Sequence, residues 1–229
     1  MFSFHQKIVI FTSKRIFFFL IFIVMDLFTP PKDWNTILQP IIDTYKGRKH
    51  PLEYSNLYEL MVAVLLSAQD SDAHINKIMP FFIEKYPNLT AISTSNINSL
   101  ENIISPVINS KNKASWLYDI AKTLEKNENI SLTLHKLIQL KGIGRKSANV
   151  ILREMNQPAE GIIADLHVIR VTPRIGLTDE SKDGIKIEKQ IWNEIGMAIS
   201  FLGREICRPS HPKCTICPLK NDCNYLKNA

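Results

Sequence analysis

The chain has 229 residues, 45% of them hydrophobic and 22% charged, which excludes global disorder and leaves room for one large core or two small ones. Eight glycines and few alternating apolar-polar stretches argue against an all-β barrel, and no fixed-period self-similarity marks a repeat protein. The net charge of +6 leans towards an anionic partner, but Lys7, Lys14 and Arg15 supply half of it, so the case rests on where the remaining charges sit.

The first segment stands apart. Ile16 to Met25 is an unbroken apolar run behind Lys14-Arg15. No small-residue cleavage site follows it, and it is too short for the roughly 20 residues that a membrane helix needs. Residues 1–24 are read as an apolar extension with Met25 as the working start, and no membrane role is expected. From Pro30 onward the period is helical. Asn56 and Glu59 form a capping-box pattern ahead of Leu57 to Leu66, a helix apolar almost all round and therefore buried. Asp72 is expected to cap the next helix, with Ile75, Ile78, Met79, Phe82 and Tyr86 on its core face and a kink or a late first turn at Pro80. Trp116, Leu117, Ile120, Ala121 and Leu124 form another stripe. Ser131 is expected to cap a short helix carrying Leu134, Leu137 and Ile138. After Gly142-Ile143-Gly144 a helix runs from about Arg145 to Glu154. Asp165 opens another, closed near Pro173, and two further segments follow, from Ile187 to Ile195 and from Met197 to Arg204. The fold class expected is all-α.

Three constellations carry chemistry. The first is the turn Lys141-Gly142-Ile143-Gly144-Arg145-Lys146-Ser147 between two helices. Glycines let a backbone approach a ligand closely, and the helix that follows turns free N–H groups and its positive dipole end towards it, which suits a phosphate. Five Lys or Arg and no acid lie between Lys136 and Arg153. The pattern is neither a Walker A loop, since Arg145 separates Gly144 from Lys146, nor a dinucleotide fingerprint, since a helix and not a strand precedes it. The second is Asp165, which reads as a helix cap and also as a carboxylate available to a cleft. The third is the tail. All four cysteines, Cys207, Cys214, Cys217 and Cys223, fall in the last 23 residues. Thiols this close suit one metal centre in a reducing compartment better than a disulfide scaffold, and zinc and a [4Fe–4S] cluster both accept four thiolates. Arg204, Arg208, Lys213 and Lys220 flank the tail, so its loop is suited to touching phosphate.

Taken together these segments resemble endonuclease III, the helix-hairpin-helix family of DNA-repair glycosylases. The resemblance rests on Leu65-Leu66-Ser67-Ala68-Gln69 with Asp72, on the hairpin Gly142 to Val150, on Asp165 to Val171, and on the spacing of the four cysteines, in the family's order and over about residues 30–226. It implies a two-lobed all-α fold, with residues 51–159 forming a six-helix lobe and residues 26–50 joining 160–229 in a lobe that bears a [4Fe–4S] cluster on Cys207, Cys214, Cys217 and Cys223. It implies a bifunctional DNA glycosylase and AP lyase acting on double-stranded DNA that carries a damaged base, an oxidised pyrimidine above all, or an abasic site. Lys146 would be the nucleophile, forming a Schiff base that permits β-elimination, and Asp165 its acidic partner across the cleft. Gln69 would fill the space left by a flipped base. Gly142, Gly144, Arg145, Arg208 and Lys213 would hold the DNA. A cytoplasmic monomer is expected. Three departures stand out: Lys141 replaces a common proline, Leu166 replaces a common threonine, and residues 105–114 lack the glycine usual in the family's second DNA-probing loop, which leaves that loop's inserting residue unassigned. A monofunctional mismatch or uracil glycosylase and a non-catalytic iron–sulfur DNA-binding protein are the alternatives. The first usually dispenses with the lysine, and the second need not retain Lys146 and Asp165 together.

Overall fold

A computed structural model describes residues 32–178 and 187–227, and residues 1–24 with the question of Met25 lie outside them. Among the described residues there is no strand. The helices are α1 (Trp34–Tyr45), α2 (Leu57–Leu66), α3 (Asp72–Lys85), α4 (Leu89–Ser93), α5 (Ile97–Ile103), α6 (Ser110–Leu124), α7 (Leu134–Leu137), α8 (Arg145–Glu154), α9 (Leu166–Ile175), α10 (Trp192–Glu205) and α11 (Asn224–Lys227). No helix among the described residues is long and apolar enough to cross a membrane.

The helix that the sequence marks as apolar all round is the hub. In α2, Tyr58 and every residue from Leu60 to Leu66 are buried, each large side chain contributing about 1.5–3 kcal/mol by leaving water. Its start is fixed by the expected box: Asn56 Oδ1 accepts from the Glu59 N–H at 3.0 Å, and Glu59 reaches back to the Ser55 N–H at 2.7 Å. Around it the main helix contacts fall into two groups. Helices α2, α3, α6 and α8 pack together, with α4 and α5 against α6 and α7 against α8. Helices α1, α9 and α10 form the other group, with α11 against α9.

Several local expectations are corrected. Ser71, not Asp72, caps α3, its hydroxyl accepting from the His74 N–H at 3.2 Å, which leaves the Asp72 carboxylate for a distant partner. The helix starts at Asp72 and contains Pro80, so its first turn is not late. Thr133, not Ser131, precedes α7 and makes no side-chain cap; Glu160 accepts from the Leu134 N–H at 3.1 Å instead. Helix α9 passes Pro173 and ends at Gly176, whose φ of +83° is the left-handed conformation that closes helices. The two late segments are one helix, α10, entered through a 3₁₀ turn at Lys189–Ile191.

Candidate active site

The hairpin glycines differ in what demands them. Gly142 has φ +82°, and a Cβ there would lie 2.5 Å from the indole of Trp116, so the fold requires glycine. Gly144 has φ −85° and ψ 175°, open to any residue, and a Cβ would meet nothing within 4 Å. Neither backbone nor packing calls for glycine at that position. Gly144 is also the cap of α8 and offers no side chain to its first N–H groups. Arg145 and Lys146, the first two residues of α8, are exposed. Lys141, the residue in place of proline, is bonded to Asp119 of α6 at 2.7 Å and ties the hairpin down.

Asp165 is both cap and site carboxylate. Its Oδ1 accepts from the N–H groups of His167 and Val168, both at 2.9 Å. Its Oδ2 accepts from the Ser200 hydroxyl at 2.5 Å and faces the Arg204 guanidinium at 3.7 Å. Burial alone would raise this carboxyl, but Ser200, the Val168 N–H, His167 and Arg204 outweigh it and hold Asp165 below the usual carboxylate range. Arg204 also bonds Asp72 at 3.2 Å, linking α10 to the start of α3. This corrects the sequence assignment of Arg204 to the cysteine tail.

His50 feels the charges of Asp72 and Arg204 in this array and that of Lys146. It is buried, its Nδ1 accepting from the Leu52 N–H at 3.2 Å. Burial lowers its pKa; the carboxylates of Asp72 and Glu154 oppose that, and the cations Lys146 and Arg204 add to it. Among the described residues Lys146 makes no ion pair.

Gln69 is exposed at the tip of the turn between α2 and α3, with φ +63°. The tail forms a separate centre. Cys207, Cys214, Cys217 and Cys223 line one small pocket together with Ile175, Leu202 and Ile206. No three His, Cys, Asp or Glu side chains among the described residues converge on a single metal ion. Burial, chiefly, and the other three cysteines raise the Cys217 thiol. Helix α9 pins this loop: Arg170 donates to the Cys207 carbonyl at 3.4 Å, and Arg174 to the Arg208 carbonyl at 2.7 Å and the Pro209 carbonyl at 3.1 Å. Arg208 and Lys213 stand exposed on it. The sequence reading did not include Ser200, His50 or the buried Lys113. The i, i+4 spacing of Ser200 and Arg204 on one helix was the available signal for the first.

Residues 62–197 match the model of the HhH-GPD superfamily of base excision DNA repair proteins. The chain is similar to endonuclease III of Rickettsia felis, 35% identical over 205 residues that cover 85% of this chain and 95% of that protein. It is 30% identical to endonuclease III of Synechocystis over 189 residues, covering 78% and 86%. Among solved structures it resembles a trapped endonuclease III–DNA covalent intermediate, with TM-score 0.74 and 29% identity over 84% of this chain and 95% of that one. The chain belongs to the endonuclease III family of the HhH-GPD superfamily of base excision DNA repair proteins.

Proposed function

We propose that this chain is a bifunctional DNA glycosylase and AP lyase of base excision repair, with Lys146 as nucleophile and Asp165 as the acidic group. The observation that carries the reading is an exposed amine at the head of the hairpin helix, with no ion pair among the described residues, together with a carboxylate held at the start of α9 by three hydrogen bonds and one ion pair. The neutral amine attacks C1′ of the damaged nucleotide, the C1′–N bond breaks, and the base leaves with its bonding pair. The nitrogen loses one proton, the C1′–O4′ bond breaks with its pair going to O4′, which takes up a proton, and the opened sugar is left as a protonated Schiff base. A C2′ proton is then removed and the 3′ phosphate departs by β-elimination, cutting the strand. An aspartate held below the usual carboxylate range is a weak base at neutral pH but a good counter-charge. Its role is therefore to stabilise the positive charge that develops on the sugar.

The hairpin backbone at Gly144, with Arg145, binds phosphate next to the nucleophile, while Gly142 shapes the turn that presents it. Gln69 enters the stack beside the flipped nucleotide. The helix group containing α2 to α8 and the group of α1 and α9 to α11 correspond to the two lobes, with the target nucleotide between them. A [4Fe–4S] cluster suits the tail: four cysteines, enough to supply four thiolates, line one pocket with apolar neighbours. Bound there, it would cross-link the segment from Cys207 to Cys223 through iron–thiolate bonds and hold Arg208 and Lys213 towards the phosphates. The reading places the enzyme in the cytoplasm as a monomer acting on double-stranded DNA.

Borohydride reduction on abasic duplex DNA tests it. The wild-type chain should be trapped covalently, whereas Lys146→Gln should bind the duplex but neither trap nor cut. Undiminished trapping by that variant places the nucleophile elsewhere, and retention of DNA without cutting by the wild type favours a non-catalytic binder.

A further inference from the structure

We propose that Asp70 is a positioning residue that locks two exposed tips, Gln69 and Ile108, into a single rigid probe of the duplex. The inference rests on the reading of Gln69 as the residue that enters the stack. Gln69 sits in the left-handed region, φ +63°, on the loop between α2 and α3. A non-glycine residue there is strained by about 1 kcal/mol or more and needs surroundings that hold it. Facing it is a second turn of the same kind: Asn109, φ +61°, precedes α6, and Ile108 just before it is 52% exposed although large and apolar.

Two buried charges bolt these turns together, one on each side of Gln69. After it, the Asp70 carboxylate, only 6% exposed, accepts at Oδ2 from the Ile108 N–H at 3.0 Å. Its Oδ1 accepts from the Ser71 N–H and faces His74 Nδ1, both at 2.8 Å. Before it, the Lys113 ammonium, 1% exposed, reaches from the first turn of α6 to the carbonyls of Leu66 and Ala68, both at 2.7 Å. A loop that only had to close could do so with backbone hydrogen bonds. Burying a carboxylate and an ammonium carries a desolvation cost, offset only where every bond is made. What that cost secures is a fixed distance between the two tips.

The lock also reaches the hairpin. Along α6, Lys113 holds the Gln69 loop, Trp116 packs under Gly142, and Asp119 bonds Lys141. These three residues are spaced by three, so they share one side of the helix. Force on the tips when they part the bases is thus carried by the helix that seats the phosphate-binding turn. A probe free to swing would lose much of that work to its own rotation.

Single-turnover excision of thymine glycol, an oxidised pyrimidine, tests the proposal in two contexts, a fully paired duplex and the same duplex with the lesion in a three-nucleotide bulge that is already unstacked. Asp70→Ala should slow excision from the paired duplex by about tenfold or more, the scale of one hydrogen bond to a charged acceptor. Excision from the bulge should change by less than about twofold. Asp70→Asn, which keeps one carbonyl oxygen for the Ile108 N–H, should recover part of the loss, and it carries the test if the alanine variant does not fold. Equal slowing in both contexts, or no slowing in either, overturns the proposal. Gln69→Ala separates it from the reading beneath: a wild-type rate for that variant on paired duplex removes Gln69 as the probe, and the proposal with it. Slow Gln69→Ala with normal Asp70→Ala removes the lock alone.

Discussion

Replacing Asp165 with Asn divides the two tasks of this carboxylate. The side chain keeps its size and one carbonyl oxygen, so the cap bonds to the His167 and Val168 N–H groups, both 2.9 Å, survive. Asn caps helices about as well as Asp. The losses are at Oδ2, where the charge-assisted bond from Ser200 and the ion pair with Arg204 disappear. A hydrogen bond to a charged group contributes about 1.5–3 kcal/mol. The Ser200 hydroxyl can rotate to accept from the new amide, and Arg204 keeps Asp72, so a net cost of about 1–2 kcal/mol is expected. That is a fall in Tm of about 2–8 °C for a chain of this size. Asp165→Ala also loses the cap and should cost about 1 kcal/mol more. The rate should respond far more strongly: about 10²–10⁴-fold slower base excision, with cleavage of a preformed abasic site less affected because the base has already left. Calorimetry and single-turnover excision on both variants test this. Asparagine and alanine variants of equal Tm would refute the cap geometry, and wild-type excision by Asp165→Asn would refute the catalytic assignment.

Three further outcomes are expected. Gly142→Ala should lower stability by more than about 2 kcal/mol, since it forces an L side chain to φ +82° and against Trp116. Gly144→Ala should leave Tm unchanged and weaken DNA binding; the reverse pattern would invert the roles given to the two glycines. On acidification, Asp165 and Asp70 act together: both carboxyls are held below their ordinary range in the folded chain, so their stabilisation is complete above the unfolded value of about 4 and is lost as pH falls through the folded ones. Asp70→Asn/Asp165→Asn should flatten the melting temperature between about pH 4 and 2, and an unchanged acid limb would contradict this. Elemental analysis of anaerobically purified protein should find about four irons per chain, with zinc at stoichiometry and no iron as the contrary result.

Sequence legibility followed the range of the interactions. Helices α2 and α8 stand at the residues expected, Leu57–Leu66 and Arg145–Glu154, because Asn56 and the glycine turn mark their starts locally. Asp165 was legible as a cap for the same reason. The short helices α4 and α5 were missed: their polar, Asn- and Ser-rich stretch from Asn88 to Asn102 shows no long apolar stripe. Ser131 misleads as the cap of α7 because the acceptor for the Leu134 N–H is Glu160, far away in sequence. Arg204 was grouped with the cysteines by proximity along the chain, whereas the turn of α10 carries it to Asp165 and Asp72. Lys113 had no signal at all, since nothing local distinguishes a lysine that ends on buried carbonyls from one that ends in water.

The far end of α8 has a consequence for the chemistry at its near end. Arg153, its side chain 8% exposed, is clamped to Glu154, to Glu194 and the Asn193 carbonyl of α10, and to the Arg48 carbonyl. Lys146 lies seven residues up the same helix, about 10 Å by the rise of an α-helix. Arg153 thus fixes the C-terminal end of α8 to α10, the helix that holds Asp165 through Ser200. A tilt of about 6° about that end would move the amine by about 1 Å, and a displacement of that size is enough to slow a reaction about a hundredfold. A change at Arg153 can thus silence the enzyme while every group that touches the nucleotide stays intact.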